Sequence, residues 1–326
     1  RPLLLVVSMG LLADGWDLLV GKLAADAIFY LTAGVCFTLT VKLGLRRGHR
    51  ADEPDGSVVA ALRARRRDEL AALLDREDVR DAIASAGTPL LLLDLDRLRQ
   101  QYRRLAAAFP GVRFHYAVKA LAHPTVIEVL RDEGSCFDIA SLEELALVSA
   151  TGVDADRVIC THPIKTIDEI KEMHTQGVRR FVVDNAAELA KFDGMGSDAR
   201  ILIRLAYTNP GAGCDLSSKF GVDAAQAELL VEQALRQGTV VEGFSFHVGS
   251  QLSDPTPFRS AVRQTLDLMD ALETRFSVRF QTLDIGGGIP AAYDHEVVDL
   301  EQVADAMMPL INERAGDLDV LAEPGR

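Results

Sequence analysis

A lysine, a run of glycines and a glutamate–arginine turn each directly follow a short apolar run of the sequence. Lys119 ends the motif YAVK, where partial desolvation would lower its pKa and make it a nucleophile toward a carbonyl carbon. The glycine run DIGGG lets the backbone approach a ligand closely, and its N–H groups can bind a phosphate. Glu323 and Arg326 share one short turn, EPGR, so a carboxylate and a guanidinium could face the same ligand.

Each of these features has an ordinary structural explanation when it is considered alone. A lysine at a strand end is usually a surface residue, and His247 would usually be a satisfied core histidine. Together, however, the residues form a coherent site for pyridoxal phosphate, in which the lysine meets the aldehyde and glycines and Arg326 hold the phosphate. Glu323 would keep the pyridine nitrogen protonated, which favours decarboxylation, whereas an arginine there would favour racemisation.

Short apolar runs alternate with longer amphipathic runs from about residue 90 onward, which predicts parallel strands joined by crossover helices. A lead-in strand is expected at 90–93, and eight further β units over roughly 240 residues are typical of a (β/α)8 barrel. A doubly wound sheet is the alternative, but its glycine-rich first turn is missing. The strands are predicted at 113–118, 136–140, 157–161, 179–183, 201–206, 240–248, 282–285 and 320–322. The helices between them are predicted at 98–109, 125–132, 142–151, 167–176, 224–237, 258–275 and 300–314.

The polar residues of interest lie at the carboxyl ends of these predicted strands, which is where barrel enzymes carry their active sites. The sequence therefore predicts one site at one rim of the barrel. The residues concerned are Lys119, Asp138, Thr161, His162, Arg204, His247, the glycine run and Glu323.

Composition excludes several classes of protein. The chain has 326 residues, of which 48% are hydrophobic and 25% charged, so its bulk is not intrinsically disordered. A net charge of −13 argues against nucleic acid as the main partner. The four cysteines form no CxxC pair, which argues against a disulfide framework or a structural zinc site, and no metal is expected.

Residues from about 88 to 326 resemble the barrel domain of the fold-type III pyridoxal-phosphate decarboxylases, the family of ornithine, diaminopimelate and biosynthetic arginine decarboxylases. The resemblance implies a (β/α)8 barrel of the alanine racemase-like type. The motifs HPIK and HVGSQLSDP are closer to the ornithine type. The motifs that carry the resemblance, in matching order and spacing, are YAVKA (116–120), FDIAS (137–141), SKFG (218–221), FHVGSQ (246–251), DIGGG (284–288) and EPGR (323–326).

This resemblance implies a role for each site residue. Lys119 would form the internal aldimine, His247 would stack on the cofactor ring, and Glu323 would pair with the ring nitrogen. The residues expected beneath and beside the cofactor are Asp138, Glu144 and Arg204. The residues expected around its phosphate are Ser250, Gly287, Gly288, Gly325 and Arg326.

The chain also departs from the family pattern. Leu121 stands where family members often have asparagine. The family continues into a β-sandwich domain that supplies a phosphate-binding tyrosine and a cysteine and an aspartate for the partner subunit's site, and this domain is absent from the chain. We expect a homodimer formed through the barrel and that second domain.

The first fifty residues lie outside the resemblance. Residues 23–45 form an apolar run in which only Asp26 and Lys42 are charged, and a basic cluster follows at 46–50. This length is about enough to span a bilayer, and the basic flank favours the cytoplasmic side. We therefore expect a membrane-spanning segment in 1–50, a linker with amphipathic helices in 51–87, and a cytoplasmic barrel in 88–326. A buried helical hairpin or an error of gene prediction is the alternative.

The expected activity is decarboxylation of an amino acid, and the expected substrate is a basic one such as ornithine, lysine or arginine, as in polyamine-type biosynthesis. Three alternatives stay open: a diaminopimelate decarboxylase, an amino-acid racemase on the same barrel, and a non-catalytic relative that binds the cofactor or a protein partner. Glu323 disfavours the racemase. The joint presence of Lys119, His247, Glu323 and Arg326 disfavours loss of the cofactor.

Overall fold

The computed structural model describes residues 56–87, 89, 91–209, 217, 219–252, 254–291, 298–314 and 318–325. The side chains of residues 56–63 and of Arg66 are outside this description. So are the predicted membrane-spanning run at 23–45, Ser218 of the SKFG motif, and Arg326. Within the described ranges, no helix has the length and apolar character needed to cross a membrane.

Parallel strands form a closed barrel in which each strand pairs with its neighbours in chain order. The barrel closes where the first strand pairs with the last, with Arg113 opposite Leu321 and Phe114 opposite Ala322. This arrangement confirms the predicted (β/α)8 fold. The strands are β1 Arg113–Ala117, β2 Cys136–Ile139, β3 Val158–Cys160, β4 Arg180–Val183, β5 Arg200–Leu205, β6 Val240–Phe246, β7 Thr282–Asp284 and β8 Asp319–Ala322.

Helices precede the barrel and connect its strands, and several of them begin at a capping residue. Asp94 begins α3 by accepting hydrogen bonds from the N–H groups of Asp96 and Arg97. Thr166 and Glu169 form a capping box at the start of α6. The helices are α1 Gly56–Asp75, α2 Glu77–Ala86, α3 Leu95–Ala108, α4 Pro124–Asp132, α5 Leu142–Ala150, α6 Ile167–Thr175, α7 Ala186–Ala190, α8 Ala224–Gln237, α9 Thr256–Phe276 and α10 Leu300–Glu313.

Two buried clusters hold the barrel together. A large one joins the outer faces of the strands to the helices and contains Phe137, Phe181 and Phe244, all fully buried. A small one consists of four apolar side chains from β3, β4, β5 and β8, namely Ile159, Val182, Leu202 and Leu321. Successive strand residues face opposite sides of the sheet, and both sides are buried in these clusters. The strands are therefore continuous apolar runs, which is why they could be located in the sequence.

The structure differs from the sequence-based expectations in a few elements. The predicted lead-in strand at 90–93 is wrong, since residues 91–93 have no strand partner and Leu91 is 90% exposed. The short helix α7 was not predicted, because five residues are too few to show a helical period. The first strand ends at Ala117 because residues Val118–Ala120 form a single 3₁₀ turn.

Charged residues from the first positions of several strands form an ion-pair network at the amino-terminal end of the barrel. Glu242, at a bulge in β6, accepts hydrogen bonds from Arg180 at 2.7 and 3.2 Å and from Arg200 at 3.2 Å. Arg180 also donates to Asp319 at 2.9 Å, and Arg113 pairs with the same carboxylate. Paired charges therefore close this end of the barrel, opposite the rim that carries the predicted site.

Removing one member of this network should destabilise the barrel strongly. Glu242 is only 7% exposed, so Glu242→Gln leaves Arg180 and Arg200 near a neutral group. We expect the free energy of unfolding in urea to fall by about 3 kcal/mol. The matched control is Glu232→Gln, which removes an exposed pair with Arg236 and should cost no more than about 0.5 kcal/mol. Equal, small losses in both variants would contradict a structural role for the network.

Candidate active site

Lys119 lies on the 3₁₀ turn after β1, at the carboxyl-terminal rim. Its Nζ donates a hydrogen bond to Asp138 Oδ2 at 2.8 Å, and its side chain is 52% exposed whereas that of Asp138 is fully buried. Burial lowers the pKa of Lys119, but the carboxylates of Asp138 and Glu323 outweigh burial and raise its pKa above the ordinary value. The expected lowered pKa is therefore wrong for this structure, because the sequence did not show how close these carboxylates lie.

Asp138 is the last polar residue of β2 and the centre of the hydrogen bonding around Lys119. Its Oδ1 accepts hydrogen bonds from the Thr161 hydroxyl at 2.5 Å and from the Thr161 N–H at 3.3 Å. Burial, followed by the nearby Glu323 carboxylate, raises the pKa of Asp138 to about 6, while Lys119 and Thr161 act in the opposite direction. The carboxylate is therefore held charged at neutral pH by its partners, against the cost of burial.

Glu323 follows β8 and lies beside the carboxyl of Asp284, at the end of β7. Its N–H donates to Gly286 O at 2.8 Å, which fixes the turn at the rim. Burial and the neighbouring Asp284 raise the pKa of Glu323 well above its usual range. Asp284 is fully buried, and burial raises its pKa as well. Two carboxyl groups in this setting favour a proton on Glu323, which makes it an acid able to give a proton to a basic nitrogen.

Glycines allow the backbone turns that carry these groups to pack closely together. A Cβ atom at Gly287 would lie 2.7 Å from Glu323 O, and one at Gly288 would lie 2.1 Å from Gly249 O. Gly288 also has a φ of +91°, which side-chain-bearing residues rarely adopt. A Cβ at Gly325 would meet the Cβ of Ala120 at 3.1 Å. Side chains at Gly287 and Gly288 would collide with backbone oxygens, so glycine is required for the loops after β6, β7 and β8 to pack this closely.

His247 follows β6 and borders the same glycines. Its Nδ1 accepts a hydrogen bond from Gly249 N–H at 2.9 Å, which fixes the orientation of the ring. The Nε2 atom would be 3.4 Å from a Cβ at Gly287, so the ring lies against this glycine. The predicted stacking of His247 on a cofactor ring stays a prediction, and this position is compatible with it.

The other predicted site residues occupy the same rim where the structure describes them. The Arg204 guanidinium lies 5.2 Å from the centre of the Phe220 ring, and its charge acts on both Lys119 and Glu323. Glu144 accepts a hydrogen bond from Ala140 N–H at 2.7 Å. Ser250 is half-buried in the loop after β6. Their predicted contacts with the cofactor stay predictions, as does that of Arg326, which lies outside the described residues.

Sequence reasoning gave no role to two residues that the structure places within the site. Thr161 was noted only as a polar residue at a strand end, yet its hydroxyl contacts both Asp138 and Glu323. Asp284 was quoted only as part of a motif, yet it raises the pKa of Glu323. Both residues lie at the carboxyl end of a predicted strand. This position in the sequence indicates that they lie on the rim, but it does not indicate which side chains from other strands they contact.

The fold and this rim define a pyridoxal-binding (β/α)8 barrel. The residues present fit the cofactor, since a lysine, an acid that can protonate a ring nitrogen and a run of glycines that exposes little side chain lie together on one rim. The chain matches the family model described as "Pyridoxal-dependent decarboxylase, pyridoxal binding domain" over residues 95–326. It therefore belongs to the pyridoxal-dependent decarboxylase family, which confirms the resemblance seen in the sequence.

Individual relatives agree with this assignment. The chain is 36% identical over 245 residues to Decarboxylase flvG of Aspergillus flavus, covering 73% of this chain and 55% of the relative. A crystal structure of lysine/ornithine decarboxylase complexed with putrescine from Vibrio vulnificus is 39% identical, with a TM-score of 0.71, covering 76% of this chain and 66% of that one.

A third similar protein is the lysine decarboxylase of Selenomonas ruminantium, in a structure with PLP and cadaverine. It is 30% identical with a TM-score of 0.69, covering 77% of this chain and 64% of that one. The chain thus spans between about half and two thirds of the length of these relatives.

Covalent attachment of the cofactor to Lys119 can be tested by spectroscopy. Wild-type protein mixed with pyridoxal phosphate should show the visible absorbance band of a cofactor joined to lysine, and Lys119→Ala should lose this band entirely. Lys171→Ala, which changes an exposed lysine on α6, should keep it. A band that persists in Lys119→Ala would refute the assignment.

Proposed function

We propose that the protein decarboxylates a basic amino acid, such as ornithine, lysine or arginine, with pyridoxal phosphate as its cofactor. When bound, the cofactor supplies a ring that accepts the electrons released as carbon dioxide leaves. The observation that supports this function best is Glu323, an acid with a raised pKa at the position expected to meet the ring nitrogen. An acid there favours a protonated ring, which suits decarboxylation better than racemisation.

Each rim residue has a distinct duty in this proposal. Lys119 binds the cofactor aldehyde. The Asp138 carboxylate, 2.8 Å from Lys119 Nζ, keeps this nitrogen protonated until it loses a proton to react with the aldehyde. Glu323 supplies a proton to the ring nitrogen. His247 covers one face of the ring, and the glycines admit the phosphate to the backbone N–H groups.

Support for a basic substrate comes from the relatives. The solved relatives are named for lysine and ornithine and were crystallised with putrescine or cadaverine, the diamines that remain when ornithine and lysine lose carbon dioxide.

The HPIK motif, which is closer to the ornithine type, begins at His162 on the same rim. The ring of His162 contacts the Phe220 ring edge to face, with 6.3 Å between the ring centres. Diaminopimelate decarboxylation and racemisation are the alternatives that a substrate panel would reveal.

The proposal is tested with the full-length protein and cofactor. Release of carbon dioxide should be measured from L-ornithine, L-lysine, L-arginine and meso-diaminopimelate, with amino-acid racemisation measured in parallel. We expect carbon dioxide from at least one of the three basic amino acids and no racemisation. Release from diaminopimelate alone, racemisation alone, or no turnover by a cofactor-loaded protein would each overturn the proposal.

A substitution at Glu323 should separate catalysis from cofactor binding. Glu323→Ala removes the proton donor to the ring, so kcat should fall about 100-fold, the size of a lost acid–base group, while the cofactor dissociation constant changes much less. Glu128→Ala, on an exposed position of α4, is the matched control and should leave both quantities unchanged. Equal losses of kcat and cofactor affinity in Glu323→Ala would point to a structural glutamate.

We further propose that the protein is a homodimer, as the family resemblance implies, and that residues 23–45 attach a cytoplasmic barrel to the membrane. The apolar length and the basic cluster at 46–50 support the second part. Fractionation of the native protein with and without residues 1–50 tests it: only the longer form should require detergent. If both forms stay in the fraction obtained without detergent, the membrane proposal fails.

A further inference from the structure

Thr161 lies between the carboxyl groups of Asp138 and Glu323. It follows β3 and is only 3% exposed. Its Oγ1 is 2.5 Å from Asp138 Oδ1, the carboxylate that pairs with Lys119, and 3.4 Å from Glu323 Oε2. One buried hydroxyl therefore touches both the partner of the lysine and the acid assigned to the ring nitrogen.

A threonine hydroxyl has one proton to donate, so it cannot serve two charged carboxylates at once. The shorter distance assigns this proton mainly to Asp138, although the hydroxyl is also within donor distance of Glu323 Oε2. A charged Glu323 would compete with Asp138 for the proton, whereas a protonated Glu323 would not. The Thr161 hydroxyl therefore connects the Glu323 carboxyl to the Asp138 carboxylate and, through Asp138, to the Lys119 ammonium.

We propose that Thr161 is a positioning residue whose hydroxyl links Glu323 to the Lys119–Asp138 pair, so that a change of protonation at Glu323 alters the hydrogen bonding of Asp138. It touches no reacting atom itself. The proposal deepens the proposed function, because it describes how the lysine end and the ring-nitrogen end of one site communicate.

The link depends on the hydroxyl rather than on the rest of the side chain. The backbone N–H of Thr161 also donates to Asp138, at 3.3 Å, and this longer bond would survive a change of side chain. Replacing the hydroxyl by a methyl group would remove one short donor from a fully buried carboxylate that has few other partners. The other ionisable groups that act on the Asp138 carboxyl or on its partners are Lys119, Glu144, Cys160, Arg204, Asp284 and Glu323.

The test is a carboxyl titration of Asp138 in the full chain without added cofactor. Protein labelled with ¹³C at the aspartate carboxyl carbons gives the titration curve by NMR, and the signal is assigned with Asp138→Asn. Thr161→Val removes a donor that favours the charged form, so the titration midpoint of Asp138 should rise by about one pH unit. Thr161→Ser keeps the hydroxyl and should stay within a few tenths of a unit of wild type.

One further variant makes the result decisive. Thr161→Ala is a second variant without the hydroxyl, and it should show the same rise if Thr161→Val does not fold. An unchanged midpoint in the hydroxyl-free variant, or an equal rise in Thr161→Ser, would overturn the proposal.

The link to Glu323 is tested by combining substitutions. If Thr161 connects the two carboxyl groups, the midpoint shift caused by Glu323→Ala should differ between the wild-type and Thr161→Val backgrounds by at least about half a pH unit. Purely additive shifts would show that Thr161 acts on Asp138 alone and would refute the link. Because no turnover is measured, failure here is distinguishable from failure of the proposed decarboxylation.

Discussion

The hydrogen-bonded ion pair between Lys119 and Asp138 is the interaction on which the site depends. Burial raises the pKa of the Asp138 carboxyl to about 6 even though the ammonium 2.8 Å away favours the charged form, so the carboxyl stays charged at neutral pH. The same carboxylate favours the charged form of Lys119, whose side chain is half exposed. The barrel makes this pair possible, because closing parallel strands in chain order brings the ends of β1 and β2 side by side.

The two ends of the barrel differ in their balance of acidic and basic side chains. At the amino-terminal end, Glu242 is matched by Arg180 and Arg200, so the buried charges compensate one another. At the carboxyl-terminal rim, the carboxyls of Asp138, Asp284 and Glu323 share the cations Lys119 and Arg204, and their pKa values rise. Because carboxyl groups outnumber cations among these residues, Glu323 tends to keep its proton. A protonated carboxyl suits a cofactor with a basic ring nitrogen.

The sequence predicts most of the fold and part of the site, for identifiable physical reasons. Buried parallel strands are continuous apolar runs, so β1 to β8 could be located to within about two residues. The prediction of a lead-in strand at 90–93 was wrong, because an apolar run becomes a strand only where another strand can pair with it. Rim residues such as Lys119 and Glu323 could be found because barrels place chemistry after their strands.

What the sequence could not show were distances between side chains from different strands. The pKa of Lys119 was expected to fall with burial, and it rises because Asp138 and Glu323 lie nearby. Thr161 and Asp284 gained their roles in the same way, through neighbours that are distant along the chain. Electrostatic character depends on such neighbours, whereas motifs preserve only residue types and spacing.

The proposed role of Lys119 as the residue that binds the cofactor can be tested directly. Reduction of the pyridoxal-phosphate complex with borohydride, followed by proteolysis and mass spectrometry, fixes the cofactor permanently to the lysine that holds it. We expect one modified peptide, carrying the reduced cofactor on Lys119. Modification of a different lysine, such as the buried Lys165, with Lys119 unmodified would contradict it.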